Sequence, residues 1–299
     1  MRWQVAVLAT AIGLAGCGTT QSFLPDTGVQ GQAMSPMAAE AYLSHGLGAN
    51  LAGAPTIVDD EYSSQALTSA LPSEVDLRSE CSPIADQGRL GSCTAFAIVK
   101  GLREFYLEKE GQYQPLSPSF LWWEERSEEG ATNQDTGATV AMGMSVLAQD
   151  GVCPETDDPY YTDAQQQLPE TELDQVISTP PSQQAVADAQ QFTLGPAKPV
   201  RTLSEVQHEL AAGYPVVMGI QVYSSFKQAT VGGMVPMPDT STEQLLGGHA
   251  VMAVGYDQSR QVLIMRNSWG PTWGDHGYFY LPYDYMRDGL AKDGWTVEE

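Results

Sequence analysis

The hydrophobic period of this chain changes at Gly213, and that change constrains the fold more than any other feature. Before it, apolar residues recur at helical spacing. Ala95, Ile98, Val99, Leu102, Phe105 and Tyr106 form one stripe, and Val140, Met144 and Leu147 form a second that Gly151 closes. A third helix is expected from Leu203 to Gly213, with Ser204 and Gln207 reading as a capping box. After Gly213 the apolar runs are short and β-branched, over 214–223, 249–256, 261–266 and 277–281, with turn residues between them. Helices first and strands later, without alternation, imply an α+β protein: a helical lobe, then an antiparallel β lobe, with a cleft between them. At 299 residues the chain can bury one core that two such lobes share.

The runs 249–256 and 261–266 flank a loop so short that an antiparallel hairpin is the simplest connection. His249 and Asn267 lie symmetrically about residue 258 in that loop, so without a bulge they sit side by side at the open end of the ladder. Taken alone, such a pair is equally well read as a structural hydrogen bond. Cys93 changes the reading. It opens the first helical stripe, behind the loop "GRLGS" at 88–92. A helix N-terminus stabilises a thiolate, and a thiolate attacks carbonyls far better than a thiol. The proton it gives up needs a base, and that base needs a group to orient its other nitrogen. Cys93, His249 and Asn267 fill those three roles. The side-chain amide of Gln87, six residues before Cys93, would join the Cys93 backbone N–H in holding an oxyanion.

Charge narrows the partners. The net charge is −23, with 14 Lys and Arg against 37 Asp and Glu, so no basic patch is available to neutralise phosphates and nucleic acid is excluded as a partner. His45, His208 and His276 sit in an arm, on the polar side of a helix and in a turn, and read as surface residues. Neither a metal motif nor a phosphate-cradling glycine loop is present, so no cofactor is expected. The chain is expected to act as a monomer.

The N-terminus reads as an address. Arg2 is followed by an apolar run from Val5 to Leu14, about 15 Å of helix and half of a hydrocarbon core, which makes it a signal h-region rather than a span. The ending Leu14-Ala15-Gly16-Cys17 resembles the lipobox of bacterial lipoproteins, in which the signal is cut before a cysteine that carries lipid. The resemblance implies a signal over 1–16 and membrane attachment through Cys17. Gly18, where Asp would imply inner-membrane retention, points to the outer membrane of a Gram-negative host. Residues 17–70 are rich in small and polar types and read as an arm or pro-like segment, with one short helix near 37–45, and a denser pattern begins at Leu71.

Three blocks, "DQGRLGSCTAFA", "GGHAVMAVGYD" and "RNSWGPTWGDHGYFYLP", occur in an order that resembles the papain family of cysteine peptidases, over about 71–299. The resemblance implies the two-lobed papain-like fold, with Cys93 as nucleophile, His249 as acid–base, Asn267 as orienting group and Gln87 in the oxyanion site. Trp269 would shield the Asn–His hydrogen bond. The stretch 135–140 aligns with the segment that pairs with extended peptide, with Gly137 at the closest approach. Pro159 and Tyr160 align near the main specificity pocket, and Gly248 leaves one wall of it open. Thr94 stands where the family carries Trp, and Leu90 where it carries a disulfide cysteine. With "DGVCPETDDPY", these departures look more like the bacterial, xylellain-like branch. Cys81 and Cys153 remain without a role, and in the oxidising compartment of an exported protein a disulfide between them is expected.

Two other readings stay open. Lipoprotein cell-wall amidases of the same general fold also use Cys and His, but with a shorter interval between them and without an Asn-Ser-Trp-Gly block. A catalytically silent binding module is the other. As for the arm, it is too short for the long helical pro-region of cathepsin-like relatives. Its segment 54–64 is expected to lie over or near the cleft and restrain activity, the alternative being a simple leash.

Overall fold

The computed structural model describes residues 45–60 and 71–299. The signal, Cys17, the short helix expected near 37–45 and residues 61–70 of the arm fall outside the described residues, His45 apart.

Two parts meet along one core. The helical part is built on α1, which runs through Cys93–Ala95, a π-helical stretch Phe96–Arg103, and Glu104–Lys109. Its apolar stripe is fully buried, and Gly101 lets it press on Met252 of the sheet, where a Cβ would come 3.2 Å from the Met252 sulfur. α2 (Pro118–Glu128) starts at a Ser117 cap with proline at its first position, and α3 (Val140–Gln149) starts at a Thr139 cap. Shorter helices follow at Asp163–Gln166, Glu170–Ile177 and Gln183–Ala189. The helix expected from Leu203 is present as Leu203–Ala211, but its capping box is Thr202 with Glu205. Ser204 lies one residue inside the helix and is buried, so its side chain does not cap.

The second part is an antiparallel sheet: β1 (Glu74–Asp76), β2 (Lys198–Val200), β3 (Val216–Tyr223), β4 (Leu245–Asp257), β5 (Val262–Arg266), β6 (Tyr278–Pro282) and β7 (Ala291–Thr296). Their order is β2-β7-β3-β4-β5-β6, with β1 also on β4. The β4–β5 hairpin forms, but its register differs from the symmetric one. Met252 faces Arg266 and Tyr256 faces Leu263, so the pairing is centred beyond residue 258 and shifts at a bulge between Ala253 and Gly255. The extra residue, Val254, turns its carbonyl to the N–H of Leu77, and Gln261 takes a positive φ of 53° in the turn.

Arg266, buried at the end of β5, ties the parts together. Its guanidinium donates to the carbonyls of Ser82, Pro83 and Lys100, which fixes the segment before Gln87 against α1 and the sheet. From there 85–87 pairs with 268–270: Gln87 N–H donates to Ser268 O at 2.9 Å and Gly270 N–H to Ala85 O at 3.1 Å. Gln87 and the Asn267 block are thereby brought to one end of the cleft.

Candidate active site

Cys93 is the first residue of α1, so its own N–H is one of the donors that a helix start leaves without an intrahelical partner. Its sulfur accepts the backbone N–H of Ala250, the neighbour of His249, at 3.4 Å. His249 Nε2 lies 2.8 Å from Asn267 Oδ1. That oxygen also accepts the N–H of Ser268 at 2.9 Å, so the amide orientation is fixed and Nε2 must carry a hydrogen. Nδ1 is then the basic nitrogen, and it is buried without a partner among the described residues. Trp269 stacks on the imidazole, with ring centroids 4.6 Å apart, and closes the Asn267–His249 bond from water.

Gln87 is fully buried. Its Oε1 accepts from Ser268 Oγ at 2.6 Å, which leaves Nε2 as the donating end. Nε2 donates to Leu90 O at 2.9 Å and to Gly46 O at 3.0 Å. Tyr160 stands beside this amide. Its hydroxyl meets Gln87 O at 2.8 Å and Ser92 Oγ at 2.6 Å, and its ring packs edge-on against Phe96, so it braces the loop before the nucleophile. Pro159 is exposed beside it.

The cleft is not empty: residues 45–51 of the arm run through it. Gly46 N–H donates to Gly88 O, Ala49 N–H to Gly248 O and Asn50 N–H to Ala138 O, at 3.1, 3.1 and 2.8 Å. Gly48 N–H donates to the Cys93 sulfur at 3.4 Å. A Cβ on Gly137 would lie 1.3 Å from Gly48 O, and Cβ atoms on Gly46 and Gly48 would fall 2.0 Å from Leu90 O and 1.7 Å from Gly91 O. Gly137 and Gly248 are therefore points of close backbone approach to this segment. Leu51 fills a recess that Gly219 and Gly248 leave open, 2.3 Å and 3.0 Å from where their Cβ atoms would be. His45 stacks on Trp269 at 5.4 Å and meets Asp86 Oδ1 at 3.1 Å. Burial pulls the Asp86 carboxyl up, but the hydrogen bonds from His45 and the Gly88 N–H outweigh it and leave the group lowered.

Burial governs the ionisation of the pair. Cys93 and His249 both have no exposed surface. Burial pushes the thiol up to about 11 against the pull of the Ala250 and Gly48 N–H groups, and burial takes the imidazole down to about 4 against the hydrogen bond to Asn267. Burial thus disfavours the charged form of each group in the closed site.

Sequence reasoning placed the arm's contact at 54–64. Within the described part, the cleft is filled instead by 45–51, while 56–60 joins the edge of the sheet through bridges Thr56–Lys292 and Val58–Thr202. The glycines at 46 and 48, spaced to slide between two walls of backbone, are the signal that would have located the contact. Gly219 and Ser268 were also missed.

The expected Cys81–Cys153 disulfide is not formed: both are free thiols. Cys81 Sγ turns back to Leu77 O in the neighbourhood of Arg266 and Tyr278, while Cys153 is buried near Ser117 and Asp158, so each sulfur faces its own surroundings. Among the described residues no helix is long and apolar enough to cross a membrane, and no group of three or more ligand-type side chains could hold a metal.

Known proteins resemble this chain in sequence and in fold. An uncharacterized peptidase C1-like protein of Acanthamoeba polyphaga mimivirus is 36% identical over 72% of this chain and 69% of its own. The crystal structure of xylellain, a cysteine protease from Xylella fastidiosa, is 33% identical over 85% of this chain and 96% of its own, with a TM-score of 0.67. The proform of the ragweed pollen allergen Amb a 11, at 22% identity and a TM-score of 0.60 over 83% of this chain and 73% of its own, shares the fold. The model of the papain family of cysteine proteases matches residues 71–293, and this chain belongs to that family.

Proposed function

We propose that the chain is an endopeptidase whose reaction runs through Cys93, His249 and Asn267. His249 Nδ1 takes the thiol proton, and the Cys93 sulfur attacks the carbonyl carbon of a peptide bond. The negative charge that forms on the oxygen is held by Gln87 Nε2 and the Cys93 N–H. Collapse expels the amine, which takes its proton from His249 and leaves a thioester. Water, deprotonated by His249, then releases the acid and restores the thiol. One observation carries this reading: Asn267 fixes the His249 tautomer, and the adjoining Ala250 N–H meets the Cys93 sulfur. Replacing Cys93 with Ala should abolish peptide hydrolysis with the melting temperature nearly unchanged. Residual activity within about tenfold of wild type would overturn it.

The same reading makes 45–51 a plug. The group it presents to the sulfur is a peptide N–H, and the oxygen that Gln87 holds is Gly46's own. Leu51 suggests the substrate: a chain with an apolar side chain for the recess at Gly219 and Gly248. The 156 residues between Cys93 and His249, and the block Asn267-Ser268-Trp269-Gly270, favour peptidase over cell-wall amidase. The lipobox-like sequence supports an outer-membrane lipoprotein tethered through Cys17. Cys17→Ser should move the protein out of the membrane fraction, and a variant that stays there has another anchor.

A further inference from the structure

Directly after the nucleophile, Thr94 is tied to a carboxyl that this reaction does not use. Its Oγ1 donates to Glu125 Oε2 at 2.8 Å. Glu125 projects from α2 into the junction of α1, α2 and α3, where it is wholly buried, and its Oε1 has no partner among the described residues. Gly143 of α3 makes the space: a Cβ there would lie 2.2 Å from Oε1 and 2.4 Å from Ile98 Cδ1. A buried carboxylate needs a cation or several donors, and Glu125 has one hydroxyl.

None of the nearby charges supplies a close cation. Arg126, next on α2, lies over the Trp122 ring and donates to the carbonyls of Trp122, Thr132, Gln134 and Ile177. On α1, Lys100 is paired with Glu104 and Glu155, and Arg103 donates to Phe192 O. α3 has no titratable side chain. The remaining charged groups on and just after α2 are acids: Glu124, Glu128 and Glu129. Burial pushes the Glu125 carboxyl up to about 8, with the Thr94 hydrogen bond opposing, Glu129 adding and Arg126 subtracting.

We propose that Glu125 is a positioning residue that works as a neutral acid. Protonated, it fixes Thr94 and the first turn of the nucleophile's helix; ionised, having released its proton to solvent, it sets a negative charge behind Cys93 that opposes the thiolate. The proposal rests on the peptidase reading only for its kinetic consequence. It gives Thr94 a partner of its own. It also gives the enzyme an alkaline limit that originates outside the cleft, and the Glu125 charge raises the Cys93 thiol in the expected sense.

The test compares the full chain with Glu125→Gln and Thr94→Val between about pH 6 and pH 10, by kcat/KM on a fluorogenic peptide and by the alkylation rate of Cys93 with iodoacetamide. Near pH 6, Glu125→Gln should match wild type within about twofold. Near pH 9.5 it should exceed wild type by about fivefold or more in both readouts, because the charge never forms. Thr94→Val removes the one donor to Glu125 found among the described residues, so the wild-type alkaline limb should move to higher pH. Identical pH profiles for wild type and Glu125→Gln, or a uniform loss at every pH, would overturn the proposal. If Glu125→Gln fails to fold, an unmoved limb in Thr94→Val overturns it alone. Alkylation needs no turnover, so a pH-dependent difference there without peptide hydrolysis would sink the peptidase reading and keep Glu125.

Discussion

The two described halves of the arm, 45–51 and 56–60, are held by opposite kinds of contact. The first lies in the cleft on backbone hydrogen bonds to Gly88, Ala138 and Gly248 and on the sulfur of Cys93, with glycines at the tightest points. Water or a substrate backbone can make each of those bonds, so leaving the cleft costs little. The second half buries Ile57 completely, close above Gly294, and pairs Asp59 with Arg287. Between them the turn at 52–55 is largely exposed, with Gly53 at a φ of +69°. On the plug reading, 45–51 leaves while 56–60, held by its buried side chain and ion pair, stays with the body.

The largest effect should come from Gly48→Ala in the full chain. A methyl 1.7 Å from Gly91 O cannot be accommodated between two backbones, so the plug should lift. A tethered segment competes at an effective concentration of order mM, and kcat/KM should rise on the order of 10–100-fold. An unchanged kcat/KM would mean that 45–51 does not limit access.

Ile57→Ala should do the reverse. It removes a fully buried side chain from the strand half, and urea melts should show a loss of about 2–5 kcal/mol while kcat/KM stays within about twofold. A marked gain in activity would show that the halves leave together. The smallest effect is expected from His45→Ala, which deletes one ring stack on Trp269 and one bond to Asp86. These are worth about 1 kcal/mol together, so kcat/KM should rise a few-fold. No rise would leave the hold on the plug to its backbone and to Leu51.

The candidate site was legible because each member sits in a local pattern: Cys93 at a helix start, and His249 and Asn267 at one end of a hairpin. Even the wrong register did no harm. The pairing is centred beyond residue 258, yet the imidazole and the amide meet because the ladder ends at Arg266 and the chain turns inward after it. What was not legible depends on contacts between distant segments. Tyr160 braces the loop at Gln87 from 73 residues away, and Thr94 meets Glu125 across two helices. A disulfide between Cys81 and Cys153 followed from compartment alone, and neighbourhood decided otherwise. The arm's contact was sought in its apolar–acidic segment. Backbone-to-backbone packing favours absent side chains, and the glycines at 46 and 48 supplied them.

The central claim is that Cys93 is the nucleophile and is withheld by residues 45–51. Its most direct test is the rate at which a peptidyl epoxide modifies the protein, with the modified residue mapped by mass, in the full chain and in Gly48→Ala. The account predicts modification at Cys93 alone, slow in the full chain and faster by on the order of 10-fold or more once the plug is disfavoured. Modification at Cys81 or Cys153 in place of Cys93, or equal rates in two well-folded proteins, would contradict it.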